Sequence, residues 1–301
     1  MKKPRSLYSG DVVGIVAPCY LTDREKIAIT TKKLEFAGFR VKYGENLFKD
    51  TCGYAASIEE RASDFNAMIH DPEVRMILFG GGEVGNEILP LIDYNTLSKD
   101  PKILSSYSDG TTILEAVTSL SGITTYYGQS PRSFTIPGSY NESHFNAAVR
   151  NGAPYEFPRE SEWVTIRSGS CEGVLTGGYL VNFAAMLGGK YYKMPEEPCI
   201  LFLEDLIHFS KPAVVSKWFS HIEQSGLFDR VCGLIWGYYD DEPQPLVDDI
   251  LRRIGGRYNI PVIRCEDYGH GIRSGILPIG IHARLDADNG TLTMLESTVG
   301  E

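Results

Sequence analysis

The chain has 301 residues, 43% of them hydrophobic and 23% charged, with a formal net charge of −10 at pH 7. A chain of this length and composition buries a large core without help from disulfides or metal, in one large domain or two. Acidity without any basic run argues against a nucleic-acid partner, because phosphate backbones need clustered Lys and Arg.

No segment approaches the roughly 18 apolar residues of a membrane span. The basic start, Met1 to Arg5, is followed only by the short apolar run Val12 to Ala17, too brief for the core of a signal peptide. The expectation is a soluble, cytoplasmic protein with no membrane partner. The six cysteines, Cys19, Cys52, Cys171, Cys199, Cys232 and Cys265, are scattered without a CxxC pair. That spacing suits neither a disulfide framework nor a zinc site, and no metal is expected.

Taken in chain order, Val12 to Ala17 is a branched, apolar run ending at Pro18, as expected of a strand buried on both faces. A helix is predicted from about Arg24 to Glu35, closed by Gly38, then a strand over Phe39 to Tyr43. Ser57-Ile58-Glu59-Glu60 reads as a capping box opening a helix to about Ile69. Strands follow at Arg75 to Phe79, ending in Gly80-Gly81-Gly82, and at Ile103 to Tyr107, with a helix from about Thr111 to Leu120. The alternation predicts a mainly parallel sheet covered by helices on both faces.

From Pro131 to about Gly173 the composition turns to Pro, Ser, Asn, Gly and Glu with little periodicity, which reads as an inter-domain linker or excursion. Beyond it come a small-residue turn at Thr176-Gly177-Gly178 and a helix through Asn182 and Met186. Strands are predicted at Cys199 to Leu203, Val231 to Trp236 and Val262 to Arg264, with helices around Val214 to Ser225 and Leu246 to Ile254. A terminal hairpin, Ile276 to Asp286 and Thr291 to Glu296, is expected to turn at Asp288-Asn289-Gly290. The domain expectation is 1–135 for a nucleophile domain, 136–172 for the linker and 173–301 for a second domain.

Four strand ends carry reactive or permissive groups. Ser108 sits in Ser106-Tyr107-Ser108-Asp109-Gly110, where a strand meets a helix. A nucleophilic serine needs such a turn, which lifts the hydroxyl clear and aims the next amide N–H at a developing oxyanion; a plain helix cap by Ser108 or Asp109 is the competing reading. His270 lies in the glycine-flanked loop Tyr268-Gly269-His270-Gly271 beyond a core strand, where open α/β sheets place functional side chains. His208, also on a loop after a strand, competes with it. His70, His144, His221 and His282 fall at a helix end, in the linker, on an amphipathic helix and in a hairpin strand, and read as structural. Glu204 and Asp205 end another apolar strand, and a carboxylate is what orients a catalytic imidazole. Gly80-Gly81-Gly82-Glu83 ends the third strand with backbone N–H groups that can hold an anion; its spacing is not that of a dinucleotide or phosphate loop.

In this order, Gly10 to Pro18, Gly81-Gly82, Asn86-Glu87, Leu89 to Tyr94, Tyr107-Ser108-Asp109, Tyr127-Gly128, Thr176-Gly177-Gly178, Leu203-Glu204-Asp205 and Gly269-His270 resemble the LD-carboxypeptidase family of serine peptidases, which includes the microcin C immunity proteins. The resemblance implies a Ser108-Glu204-His270 triad. It also implies oxyanion donors at the backbone of Asp109 and Gly82, and substrate contacts from Gly81 and Glu83. Trp163 is implied either as a contact for a nucleotide-like substrate or as a partly buried anchor. The implied fold is an N-terminal α/β domain of the class I glutamine amidotransferase type carrying the serine, plus a smaller C-terminal domain supplying acid and base. A homodimer is implied, with no metal or organic cofactor. The implied substrate is a small peptide, cleaved for instance at the L–D bond of a murein tetrapeptide, or a peptidyl or aminoacyl nucleotide, cleaved at its amide. A catalytically silent binder of muropeptides or nucleotides is the reading from another class. The sequence departs from the family at Ser106, where a glycine is usual, and at Gln129, which replaces the proline of Tyr-Gly-Pro.

Overall fold

The computed structural model describes residues 1–206, 211–237 and 244–300. Strands β1 (Val12–Val16), β2 (Arg40–Tyr43), β3 (Val74–Phe79), β4 (Ile103–Ser106) and β5 (Thr125–Tyr127) alternate with helices α1 (Arg24–Phe36), α2 (Ile58–His70), α3 (Tyr94–Lys99) and α4 (Gly110–Ser121). The excursion then contributes α5 (Tyr140–Phe145), β6 (Tyr155–Glu156) and β7 (Val164–Arg167). The second half runs β8 (Ser170–Tyr179), α6 (Leu180–Met186), β9 (Cys199–Glu204), α7 (Pro212–Gln224), β10 (Val231–Gly237), α8 (Pro245–Tyr258) and β11 (Val262–Cys265). It closes with β12 (Leu277–Ile279), β13 (His282–Asp286) and β14 (Thr291–Met294).

These strands form two sheets, in a mixed α/β architecture. The first has six strands in the order β12-β5-β4-β3-β1-β2, and the second has eight in the order β6-β14-β13-β8-β9-β10-β11-β7. The interior of the first is parallel, as the alternation requires, and its central strands β1 and β4 are buried at every position. The parallel heart of the second, β8-β9-β10-β11, is equally apolar, with β9 buried throughout.

Three expectations change. The excursion is not a linker: β6 pairs with β14 and β7 pairs with β11, so it supplies both edges of the second sheet. Among the described residues the second sheet thus has eight strands against six in the first. The terminal hairpin is shorter than predicted. Leu277–Ile279 leaves it to pair with β5 in the first sheet, and only His282–Asp286 pairs with Thr291–Met294. Gly280, with φ +87°, makes the break between the two destinations. Finally, Thr176, Gly177 and Gly178 lie inside β8 and not in a turn; a Cβ on Gly177 would fall 1.8 Å from the Phe202 carbonyl oxygen, so β8 and β9 approach too closely for a side chain there.

Ser57 and Glu60 do form the predicted capping box at the start of α2. Among the described residues no helix is long and apolar enough to cross a membrane.

Candidate active site

The short strand β4 ends at Ser106, and α4 starts at Gly110. Between them Ser108 adopts φ +57°, a left-handed conformation uncommon for a residue with a side chain. The turn is tight because Gly110 packs on Ser106: a Cβ at 110 would meet the Ser106 hydroxyl at 2.1 Å. Gly110 N–H donates to the Tyr107 carbonyl, and Thr111 N–H and hydroxyl both donate to the Ser108 carbonyl. A left-handed residue at a strand-to-helix junction is the geometry that projects a hydroxyl out of the backbone. Asp109 occupies the N-cap position of α4 but makes no side-chain cap, so the capping alternative does not describe it.

His270 arrives from the loop beyond β11, and Glu204 from the last residue of β9. His270 Nε2 lies 2.9 Å from Ser108 Oγ, and His270 Nδ1 lies 2.8 Å from Glu204 Oε2. The hydrogen-bonded order is therefore hydroxyl, imidazole, carboxylate, assembled from three separate strand ends. Glu204 is buried, and the rings of Tyr107 and Tyr179 flank the imidazole at 5.1 and 5.0 Å. A Cβ on Gly269 (φ +100°) would lie 2.8 Å from the Glu204 carboxyl carbon, so only glycine lets this loop close over the acid. Tyr268, just before it, donates its hydroxyl to the Leu203 and Ile235 carbonyls and fastens the loop to β9 and β10.

Tyr127 stands at the end of β5, and its sequence motif implies no role for it. Its hydroxyl donates to Glu204 Oε1 and accepts from the Ser108 backbone N–H at 3.1 Å. It thus links the acid of one sheet to the serine turn of the other. Asp205 faces inward beside Glu204; burial, reinforced by the neighbouring negative charge, pushes its carboxyl up to about 7.

The glycine run after β3 lies against the serine. A Cβ on Gly81 would sit 2.6 Å from Ser108 Cβ and 3.1 Å from its Oγ, while Gly82 packs on the Cys19 carbonyl with no room for a side chain. Two devices hold this loop. Asp109 accepts from Gly85 N–H at 2.6 Å and from the Asn182 side chain, and its own burial raises its pKa. The buried Arg61 guanidinium donates to the Pro18, Ala56 and Val84 carbonyls and pairs with Glu87. Glu83 borders a cavity of about 300 Å³ that Asp109, Asn86 and Asn182 also line.

Trp163 is turned inward. Its indole N–H donates to Asp267 at 2.7 Å, and its ring lies 5.7 Å from Phe157. The same buried Asp267 accepts from Ser161 N–H at 2.9 Å, and its backbone carbonyl accepts from the Tyr140 hydroxyl. One carboxylate therefore moors the excursion to the start of the His270 loop, an arrangement in which the anchor reading of Trp163 accounts for its contacts.

Of the other histidines, His70 meets Asp93 at 2.8 Å, and His144 is fully buried between the Pro158 carbonyl and Ile276 N–H, with its pKa lowered to about 4 by burial. His208 lies outside the described residues. Among the described residues no group of three His, Cys, Asp or Glu is placed to hold a metal ion.

Two family models match the chain in succession, the LD-carboxypeptidase N-terminal domain over residues 13–128 and the LD-carboxypeptidase C-terminal domain over residues 172–285. The chain belongs to the LD-carboxypeptidase family. The stretch between the two matched LD-carboxypeptidase domains is the excursion that supplies β6 and β7. Among its relatives are a Bacillus subtilis protein named "Probable murein peptide carboxypeptidase", 28% identical over 99% of this chain and 96% of that one, and the Microcin C7 self-immunity protein MccF of Escherichia coli, 24% identical over 95% and 94%. The fold matches the solved structure of MccF with a TM-score of 0.90 at 23% identity over the whole of both chains. It also matches a muramoyltetrapeptide carboxypeptidase from Oxalobacter formigenes with a TM-score of 0.80 at 21% identity, over 94% and 97%.

Proposed function

We propose that this chain is a serine amidase that cleaves small peptides bearing a free carboxylate, with Ser108 as nucleophile, His270 as general base and then acid, and Glu204 as the group that orients the imidazole. The observation that carries this reading is the unbroken relay from Ser108 Oγ through His270 to Glu204, at 2.9 and 2.8 Å. His270 Nε2 takes the hydroxyl proton as Oγ attacks the amide carbonyl. The imidazolium is held by Glu204 through Nδ1–H and returns the proton to the leaving amine, and water releases the acyl group by the same steps in reverse. The backbone N–H groups of Asp109 and Gly82 are the donors for the oxyanion; loss of one such donor costs about 10²–10³ in rate.

Arg132 supports the carboxypeptidase reading. Its guanidinium donates to the Gly271 carbonyl at 2.9 Å, directly after His270, and so puts a cation beside the loop that carries the base. A cation there suits the terminal carboxylate of a tetrapeptide.

A second substrate class, the amide of an aminoacyl nucleotide, is favoured by the full-length likeness to MccF, whose solved structures include complexes with glutamyl sulfamoyl guanosine and aspartyl sulfamoyl adenosine. The deciding experiment incubates the purified protein with a murein tetrapeptide and with an aminoacyl sulfamoyl adenosine in parallel and reads products by mass spectrometry. Release of the terminal D-residue supports the first class, and release of the free amino acid from the nucleotide supports the second. Absence of both products, together with failure of a phosphonate probe to label Ser108, would leave a silent binding protein and end the proposal.

A further inference from the structure

Cys171 and Cys232 are far apart in sequence and unrelated to the serine site, yet the fold brings their thiols together. Strand β9 begins only at Cys199, which pairs with Val174 of β8 on one side and Val231 of β10 on the other. Cys171 therefore lies beyond the start of β9, where β8 keeps its pairing with Leu285 of β13 but has no neighbour on the other edge. Residues of β8 and β10 come within 8 Å of one another, Cα to Cα.

The register supplies the second half of the arrangement. Val231 pairs with Cys199 and Gly233 with Ile200, so Cys232 is the extra residue of a bulge in β10. A bulge re-aims the side chain it carries. The Cys232 thiol points back across the vacant edge of β9, within 3.3 Å of the Glu172 and Cys199 carbonyl oxygens. Each sulfur then lies over a glycine next to, or two residues from, the other cysteine: a Cβ on Gly233 would be 2.5 Å from Cys171 Sγ, and a Cβ on Gly173 would be 2.9 Å from Cys232 Sγ. Two glycines thus leave the space in which the thiols meet. Both cysteines are only half-buried, unlike Cys19, Cys199 and Cys265.

We propose that Cys171 and Cys232 form an oxidisable dithiol, a modification site that small disulfides of the glutathione type convert to an intramolecular disulfide tying β8 to β10. The first attack is written from Cys232, whose thiol the bulge in β10 turns into the space over Gly173. The Cys232 thiolate attacks one sulfur of the small disulfide, forming a mixed disulfide and expelling one thiol. Cys171 gives up its proton and attacks the Cys232 sulfur, forming the protein disulfide and expelling the second thiol. Two protein thiols are oxidised and one small disulfide is reduced to two thiols. The cross-link lies at the opposite end of β9 from Glu204, so it acts on the sheet and leaves the relay in place.

The test equilibrates the full-length protein with graded ratios of glutathione disulfide to glutathione, blocks free thiols with an alkylating agent under denaturing conditions, and maps peptides by mass spectrometry. The expected result is a cross-linked pair of peptides containing Cys171 and Cys232, lighter by two hydrogens, that dithiothreitol reverses and that raises the Tm of the wild-type protein. Cys171→Ser should abolish the cross-link and trap glutathione on Cys232, with turnover under reducing conditions equal to wild type; Cys52→Ser, at an exposed site, should change nothing. If both thiols stay alkylatable at every ratio, or each carries its own glutathione with no link between them, the proposal is wrong, and because the wild-type protein supplies that readout, a poorly folding variant does not blur it.

Discussion

Tyr127 and Glu204 are hydrogen-bonded across the two sheets, the phenol donating to Oε1 of the acid while accepting the Ser108 backbone N–H. A buried carboxylate in this family of arrangements needs more than the imidazole to hold it, because one oxygen faces His270 and the other is left over. Tyr127→Phe removes that donor and leaves Oε1 unsatisfied. Turnover should fall by roughly 10–100-fold, the value of a hydrogen bond to a charged group, with KM nearly unchanged. Since the phenol acts through Glu204 and His270, the pH–rate profile should move as well. A variant that lost stability but kept its kcat and profile would make Tyr127 merely structural.

Ser108→Ala removes the nucleophile and leaves the turn in place. Turnover should drop by about 10³-fold or more, and circular dichroism and Tm should match wild type. Retained turnover in a clean preparation would sink the assignment of Ser108.

Gly269→Ala tests the closure of the histidine loop over the acid. The new Cβ meets the Glu204 carboxyl at 2.8 Å on a backbone held at φ +100°, a strain of about 1–3 kcal/mol. The loop must retreat, so activity should fall much further than thermal stability. Equal activity in the variant would show that the loop closes in some other way.

Trp163→Phe separates an anchor from a substrate contact. The substitution keeps the ring beside Phe157 and deletes the donor to Asp267, leaving a buried carboxylate oxygen short of one partner; stability should fall by about 1–3 kcal/mol. KM should stay at the wild-type value for both the tetrapeptide and the aminoacyl nucleotide. A rise in KM confined to the nucleotide would restore the tryptophan to the substrate site.

Glu115 gives a pH signature. It lies fully buried on α4 and accepts from Gly177 N–H at 2.8 Å and the Thr176 hydroxyl at 3.0 Å, and burial pushes its carboxyl from 4.5 up to about 7. Between pH 4.5 and 7 the folded protein holds a proton there that the unfolded chain has released. This group's contribution therefore falls as pH rises through that window, by at most about 3 kcal/mol, and is level above it. His144 works in the opposite direction, its lowered pKa destabilising the fold as pH drops from 6.5 towards 4. The comparison is consequently Glu115→Gln minus wild type by denaturant unfolding, where His144 cancels. The difference should favour the variant increasingly from pH 4.5 to 7; a flat difference would mean that the carboxyl titrates normally.

Sequence alone determined the strand-helix alternation, the parallel heart of the first sheet and the strand ends at which Ser108, Glu204 and His270 stand. These are local properties: apolar runs report burial, small residues report tight turns, and polar groups just beyond buried strands fall at the sheet's open edge. Tertiary structure alone decided which sheet each strand joins. Thus β6 and β7 leave a stretch that reads as linker, and Leu277–Ile279 abandons its hairpin for β5, because pairing partners are selected by contacts between residues 95 to 154 positions apart. The same holds for chemistry in buried polar groups. Nothing near Tyr127, Asp267 or Cys232 in the chain names the carboxylate, indole or thiol each meets; those partners exist only once burial has brought them together and has made an unsatisfied group costly.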